Sequence, residues 1–170
     1  MNKGGFTLVE VIVVVAMIGI LAIFAGPATL DWIQGAKRKE ISRQAWSVLM
    51  DARAKAVSAN LEHRAVFTLD GSAVNNANSY RIQRFNGGAW EDVLSGVFTQ
   101  NIEVRGKDSC DQTTGTVTIN FKPNGTAPAA TGDSYVCVMN ESGARKFRTG
   151  VVHSVTGRVA IQGWNGSAWK

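Results

Sequence analysis

What most constrains this chain is an apolar run close to its start. From Val11 to Leu30 it reads VIVVVAMIGILAIFAGPATL, apolar apart from small residues and Thr29. A helix rises about 1.5 Å per residue and about 20 apolar residues cross roughly 30 Å of hydrocarbon, so Phe6 to Leu30 slightly exceeds one bilayer crossing. One residue breaks the pattern. Glu10 puts a carboxylate in the run, at a cost on the order of 3 kcal/mol in lipid, so it must be protonated there or meet a cation.

Two readings of this N-terminus compete. A removed secretory signal would need more positive charge than Met1-Asn2-Lys3 supplies and a small-x-small cleavage site closing the run, and neither is present. A cut before the run, after Gly5, keeps the apolar segment and makes Phe6 the new N-terminus. MNKGG followed by FTLVE resembles the type III signal of type IV pilins and type II secretion pseudopilins, with its short basic leader, glycine, phenylalanine and glutamate at the fifth mature position. The resemblance implies that a membrane-embedded prepilin peptidase cuts between Gly5 and Phe6 and methylates the Phe6 amine. It also implies that the Glu10 carboxylate pairs with the Phe6 amine of a neighbouring subunit as the chain enters a filament. Two charges that are each expensive in lipid are tolerable together, and the need for a partner would set the axial stagger of subunits. Pro27 sits where such pilins carry a helix-kinking proline, and Gly26 weakens the same turn.

With the leader and the apolar helix set aside, about 110 residues are left, enough for one small core. The net charge of +5 is uneven. Residues 37 to 55 carry Lys37, Arg38, Lys39, Arg43, Arg53 and Lys55 against Glu40 and Asp51, and residues 141 to 170 carry Arg145, Lys146, Arg148, Arg158 and Lys170 against Glu141. Basic stretches beside a membrane helix suit lipid headgroups or a solvated face more often than nucleic acid. Cys110 and Cys137 make an even pair, which in an exported domain reads as a disulfide; a two-cysteine metal site would lack a second Cys or His at ligand spacing.

After Pro27 the helical pattern turns amphipathic. Ile33, Ile41, Ala45, Leu49, Ala52, Ala56 and Ala59 recur at helical intervals, widened by Trp46, Met50 and Val57, while the charged residues point elsewhere. The pattern predicts a helix from about Phe6 to about Asn60 whose second half seeks a sheet. From Arg64 the chain alternates in short stretches, RAVFTLD, SYRIQRF, NIEVR, TVTINF, SYVCVMN, RKFRTGVV and RVAIQGW, separated by Gly-, Asn- and Pro-rich turns. These read as strands of one antiparallel sheet. Residues 71–79 and 122–133 read as exposed loops. FNGGAW at 85–90 and WNGSAW at 164–169 echo each other, each placing Asn-Gly between two aromatics as a tight hairpin does. Two hairpin tips explain the echo; a stacking platform for single-stranded nucleic acid is the other reading.

INFKPNGTAPA, SYVCVMNESGARKFRTGVV and HSVTGRV resemble the C-terminal half of the GspH/FimT family of minor pseudopilins and minor pilins. Some FimT-type minor pilins bind DNA in natural transformation through a Gly-Arg-x-Arg motif. The corresponding residues here are Gly157-Arg158-Val159-Ala160, without the second arginine, so Arg145, Lys146, Arg148 and Lys170 would have to supply the phosphate contacts.

No catalytic constellation emerges. His63 and His153 lie in unrelated segments, no phosphate-binding glycine loop is present, and Asp108, Asp111 and Asp133 do not follow the spacing of a calcium loop. The expectation is a non-enzymatic α+β protein without cofactor, metal or small-molecule substrate. Its leader spans 1–5, a membrane or filament-core helix 6–30, an amphipathic helix 31–62, and a periplasmic β-sheet head 63–170. Its partners would be other pilin subunits, the prepilin peptidase and the inner membrane, with DNA as the alternative. It would act in a type II secretion pseudopilus or a type IV pilus.

Overall fold

The computed structural model describes residues 7–71, 78–98, 102–128, 135–140 and 142–170; the side chains at 23–29 and 31 lie outside that description. The chain divides into two compact units, Met1–Ala36 and Lys37–Lys170. A single helix, α1 (Leu8–Ala59), is assigned through both. It stops at Asn60, whose φ of 52° is the left-handed conformation that ends many helices.

Within the second unit, α1 buries Ile41, Ala45, Val48, Leu49, Ala52 and Ala56. Spacings of three and four keep these residues on one stripe, and the alanines let sheet side chains come close. The stripe is narrower than its pattern suggested: Ile33, Trp46 and Val57 are exposed. Ser42 is fully buried, its hydroxyl bonded back to the Arg38 carbonyl, while its own carbonyl accepts from the buried Thr149 hydroxyl at 3.2 Å.

The strands form two antiparallel sheets where one was expected. The first has the order β3 (Trp90–Val97), β2 (Ser79–Phe85), β1 (His63–Asp70), β5 (Thr114–Phe121); the second has β4 (Val104–Gly106), β6 (Tyr135–Met139), β7 (Arg145–His153), β8 (Arg158–Gly163). Both contribute to one core with α1: Ala65, Phe67, Ile82, Val117, Ile119 and Phe121 from the first, and Val104, Val136, Val138, Val151 and Val159 from the second. Strand β3 has no counterpart in the sequence expectation, and NIEVR yields only the three-residue β4. Alternation alone did not distinguish two sheets from one. Local pattern shows which side of a strand is apolar but not which strand lies beside it.

Arg53 explains the two C-terminal turns. From α1 its Nε donates to the Gly125 carbonyl at 3.0 Å and its Nη2 to the Thr156 carbonyl at 2.9 Å, while the Ala127 amide donates to Ser154 at 2.9 Å. The Pro123-Asn124-Gly125-Thr126 turn and the 154–157 turn are thereby held together. Gly157 has a φ of 61°, and a Cβ there would run into the Gly125 carbonyl, so glycine is needed twice over.

Candidate functional site

Helix α1 opens with a capping box. The Thr7 amide and hydroxyl donate to Glu10 Oε2 at 3.0 and 3.1 Å, and the Glu10 amide donates to Thr7 Oγ1 at 3.3 Å. The pattern is Ser/Thr-x-x-Glu, in which cap and N3 residue satisfy each other's orphan amides. In the single chain the Glu10 carboxylate is thus satisfied inside its own first turn. Sequence reasoning assigned Glu10 to a neighbour and passed over Thr7, although Thr-Leu-Val-Glu was in view.

Beyond this cap the first unit presents apolar side chains outward, with Leu8 77% and Leu21 68% exposed. Among the described residues no helix is long and apolar enough to cross a membrane. The expected crossing, Phe6 to Leu30, includes the side chains at 23–29, which lie outside the description, as do Gly5, Phe6 and the Pro27 side chain.

Of the residues named for DNA contact, Arg145, Lys146, Arg148 and Arg158 do not form one patch. Register pairs Arg148 with Gln162 and Arg158 with His153, which puts Arg158 four residues, about 13 Å, along β8 from the partner of Arg148. Arg148 is 14% exposed and committed. Its guanidinium lies 4.1 Å over the Tyr135 ring and 4.8 Å over that of Trp169. Its Nε donates to Gln162 Oε1 at 2.8 Å and its Nη1 to Asp108 Oδ1 at 3.0 Å. Burial pushes the Tyr135 phenol above its ordinary range. Arg145 lies over the Trp164 ring at 5.4 Å and donates to the Ser109 carbonyl at 2.8 Å. Lys146 and Arg158 are exposed.

Beneath these arginines lies a small second core of Cys110, Cys137 and Met139, flanked by Tyr135 and Trp169. Cys110 and Cys137 are joined by a disulfide with Cα atoms 5.7 Å apart. It fastens the 107–111 turn over β6, and Lys107 and Cys110 take positive φ of 69° and 56° to make that turn. A bond from the Ser109 side chain holds the exposed Asp111 carboxyl below its usual range. Among the described residues no three His, Cys, Asp or Glu gather as a metal site would need.

The two aromatic echoes are both hairpin tips. Phe85 stands opposite Trp90 with ring centroids 5.2 Å apart, and Trp164 opposite Trp169 at 5.0 Å. Arg64 stacks on Trp90 at 4.1 Å, bonds Gln83 at 2.6 Å and has its basicity lowered by burial and by the nearby Arg81. The arginines on these rings are partners that the echo alone did not reveal.

The prokaryotic N-terminal methylation motif matches residues 1–26. Among solved structures, the type IV minor pilin FimU of Pseudomonas aeruginosa PAO1 is similar in two crystal forms. One is 17% identical, with a TM-score of 0.47, covering 85% of this chain and 97% of that one. The other is 15% identical, with a TM-score of 0.46, covering 80% and 96%. No curated protein matches. The chain thus joins a prokaryotic N-terminal methylation motif to one long helix followed by antiparallel sheets.

Proposed function

We propose that the chain is a minor pilin or minor pseudopilin, a structural subunit that enters a type IV filament after its leader is removed. The observation that carries this reading is the methylation motif over residues 1–26, which opens a helix whose described apolar side chains from Leu8 to Leu21 are all exposed. In this reading the prepilin peptidase cuts between Gly5 and Phe6 and methylates Phe6. The 6–30 segment sits in the inner membrane with the 63–170 head in the periplasm, and the same apolar surface later packs against neighbouring subunits. Pro27 would bend that segment.

Glu10 then has two successive partners, Thr7 before assembly and the Phe6 amine of a neighbour within the filament. Glu10→Ala should leave membrane insertion intact and lower incorporation, read as the fraction of the protein in sheared filaments. Thr7→Val should weaken the cap without removing the carboxylate, so incorporation should survive better than in Glu10→Ala. Equal incorporation of Glu10→Ala and the native chain would refute the pairing. Substituting Gly5 should leave an uncut precursor visible by mass.

A DNA-uptake role draws less support, because Arg145 and Arg148 are engaged with rings, carbonyls and a carboxylate, and Arg158 stands apart from them. Salt-dependent binding of duplex DNA that falls in Arg158→Ala would restore it. Whether loss of the protein stops secretion or twitching separates the two machines.

A further inference from the structure

The two aromatic hairpins lie at opposite ends of the Lys37–Lys170 unit. Thr149 of β7 bonds the Ser42 carbonyl, and further along α1 Arg53 bonds the turn that follows β7, so the two elements run side by side in one direction. Back along β7 from Thr149, Arg145 lies about 13 Å toward the start of the unit, whereas Lys37 lies only about 8 Å from Ser42. The Trp164 amide donates to the Lys146 carbonyl at 3.0 Å, which sets the Trp164–Trp169 hairpin at that same end. The other hairpin sits at the far end. There the Phe85 amide donates to the carbonyl of Glu62, just past the end of α1 and about 33 Å or more from Lys37.

Charge separates the two ends. Around the Phe85–Trp90 hairpin arginine is matched by acid, Arg81 with Asp92 and Arg84 with Glu91. After Glu141 the chain has no acid through Lys170, and Arg145, Lys146 and Lys170 are exposed. The carboxylates that approach come from the 107–111 turn, where Asp108 bonds Arg148 and Asp111 is flanked by Lys107 as well as Arg145. Lys37, Arg38 and Lys39 open α1 at this end against Glu40. Half-buried indoles bordered by cations are what a membrane interface favours, with the rings at headgroup depth and Lys or Arg on anionic phosphates.

We propose that this end of the head, with Trp164, Trp169, Arg145 and Lys146 at its centre, docks on the anionic phospholipid surface from which the chain emerges. The proposal rests on the reading above in which the 6–30 segment lies in the membrane. Lys37 follows Leu30 by seven residues, about 10 Å as helix and at most about 25 Å extended, so this end stays near the bilayer surface whatever angle the head adopts. Trp32, 76% exposed, stands where an interfacial aromatic marks the exit of the chain from lipid. A tether this short turns weak contacts into a lasting one, because the second contact is intramolecular. Entry into a filament must then release the face from lipid, and the charge of the membrane sets how readily the subunit is withdrawn.

The test reconstitutes the full chain in vesicles of phosphatidylcholine, alone or with roughly one-third phosphatidylglycerol. Cys110 and Cys137 are already joined, so Ser167→Cys at the tip of one hairpin and Gly88→Cys at the tip of the other each introduce a single free thiol for a fluorophore. A nitroxide on the lipid headgroup quenches only a dye that comes close to the surface. Quenching at position 167 should be about fivefold stronger in anionic than in neutral vesicles, and quenching at position 88 equally weak in both. High salt, or Lys39→Glu with Lys146→Glu, should bring position 167 down to the level of position 88. Flotation through carbonate reports on the membrane segment separately. A chain that floats with neither vesicle refutes the 6–30 span and the docking with it, whereas a chain that floats while positions 167 and 88 are quenched alike refutes the docking alone. Quenching at 167 that ignores lipid charge would overturn it too. So would quenching that duplex DNA at equal phosphate removes completely, which would assign the face to nucleic acid.

Discussion

The hairpins at Phe85–Trp90 and Trp164–Trp169 have nearly the same local structure and quite different surroundings. Each closes on an asparagine amide bonded to an alanine carbonyl, Asn86 to Ala89 at 2.9 Å and Asn165 to Ala168 at 3.2 Å. Each carries a cross-strand aromatic pair with arginine on a ring. The first joins β2 to β3, which is exposed along most of its length. The second is backed by the disulfide, Met139 and the Arg148–Asp108 pair. The same six-residue pattern thus makes a turn in both places, and what lies behind it decides how much the turn supports.

The largest effect that could break this contrast is loss of the disulfide. Replacing Cys110 and Cys137 with alanine releases a loop of sequence separation 27 and should cost about 3–4 kcal/mol in denaturant melts, while the first hairpin keeps its amide protection. If both hairpins loosen together, the backing is shared and the contrast fails. Arg148→Ala comes next. It removes stacking on two rings and two hydrogen bonds from a mostly buried position, for about 2 kcal/mol, and Arg148→Lys should recover little because the planar fork makes the contacts. On the exposed hairpin, Arg64→Ala or Trp90→Ala should cost about 1 kcal/mol or less. The smallest effect is in pH. Hydrogen bonds from Asn86 and then Arg84 hold the Glu91 carboxyl below its usual range. A lowered folded value means that the unfolded chain binds the proton more readily, so the β2–β3 hairpin loses stability as pH falls below about 4, and Glu91→Gln should remove that dependence. Amide exchange at Trp90 against Trp169 between pH 6 and 3 would show it.

The helix stripe was legible in the sequence because Ile41, Ala45, Leu49, Ala52 and Ala56 recur at helical intervals, although Trp46, which the same pattern admitted, lies outside the core. The strands that border the core were legible by their own alternation. Strand β3 was not. It is exposed on both faces, it bulges where the register shifts opposite Ile82 and Gln83, and Glu91-Asp92 and Ser95-Gly96 interrupt it, so no period-two signal survives. The assembly residues at Gly5, Phe6 and Glu10 came from a motif, while Thr7, which occupies Glu10 in the single chain, is a matter of local geometry. Arg145 and Arg148 were read as free cations. Charge is visible in a sequence, but the rings, carbonyl and carboxylate that engage it come from segments 13 to 40 residues away.

Arg53 belongs to the first element to leave the ribosome, and one of its two acceptors, the Thr156 carbonyl, is 103 residues downstream. Contacts of such separation form late, since the intervening chain must be ordered first. The end of α1 therefore waits through most of synthesis with a guanidinium and an apolar stripe uncovered, the state in which partly made chains are cleared or captured. Closure of the 125 and 156 turns on Arg53 must wait until the chain has been made through Thr156, and a chain stalled before that point would carry its helix but not its latch.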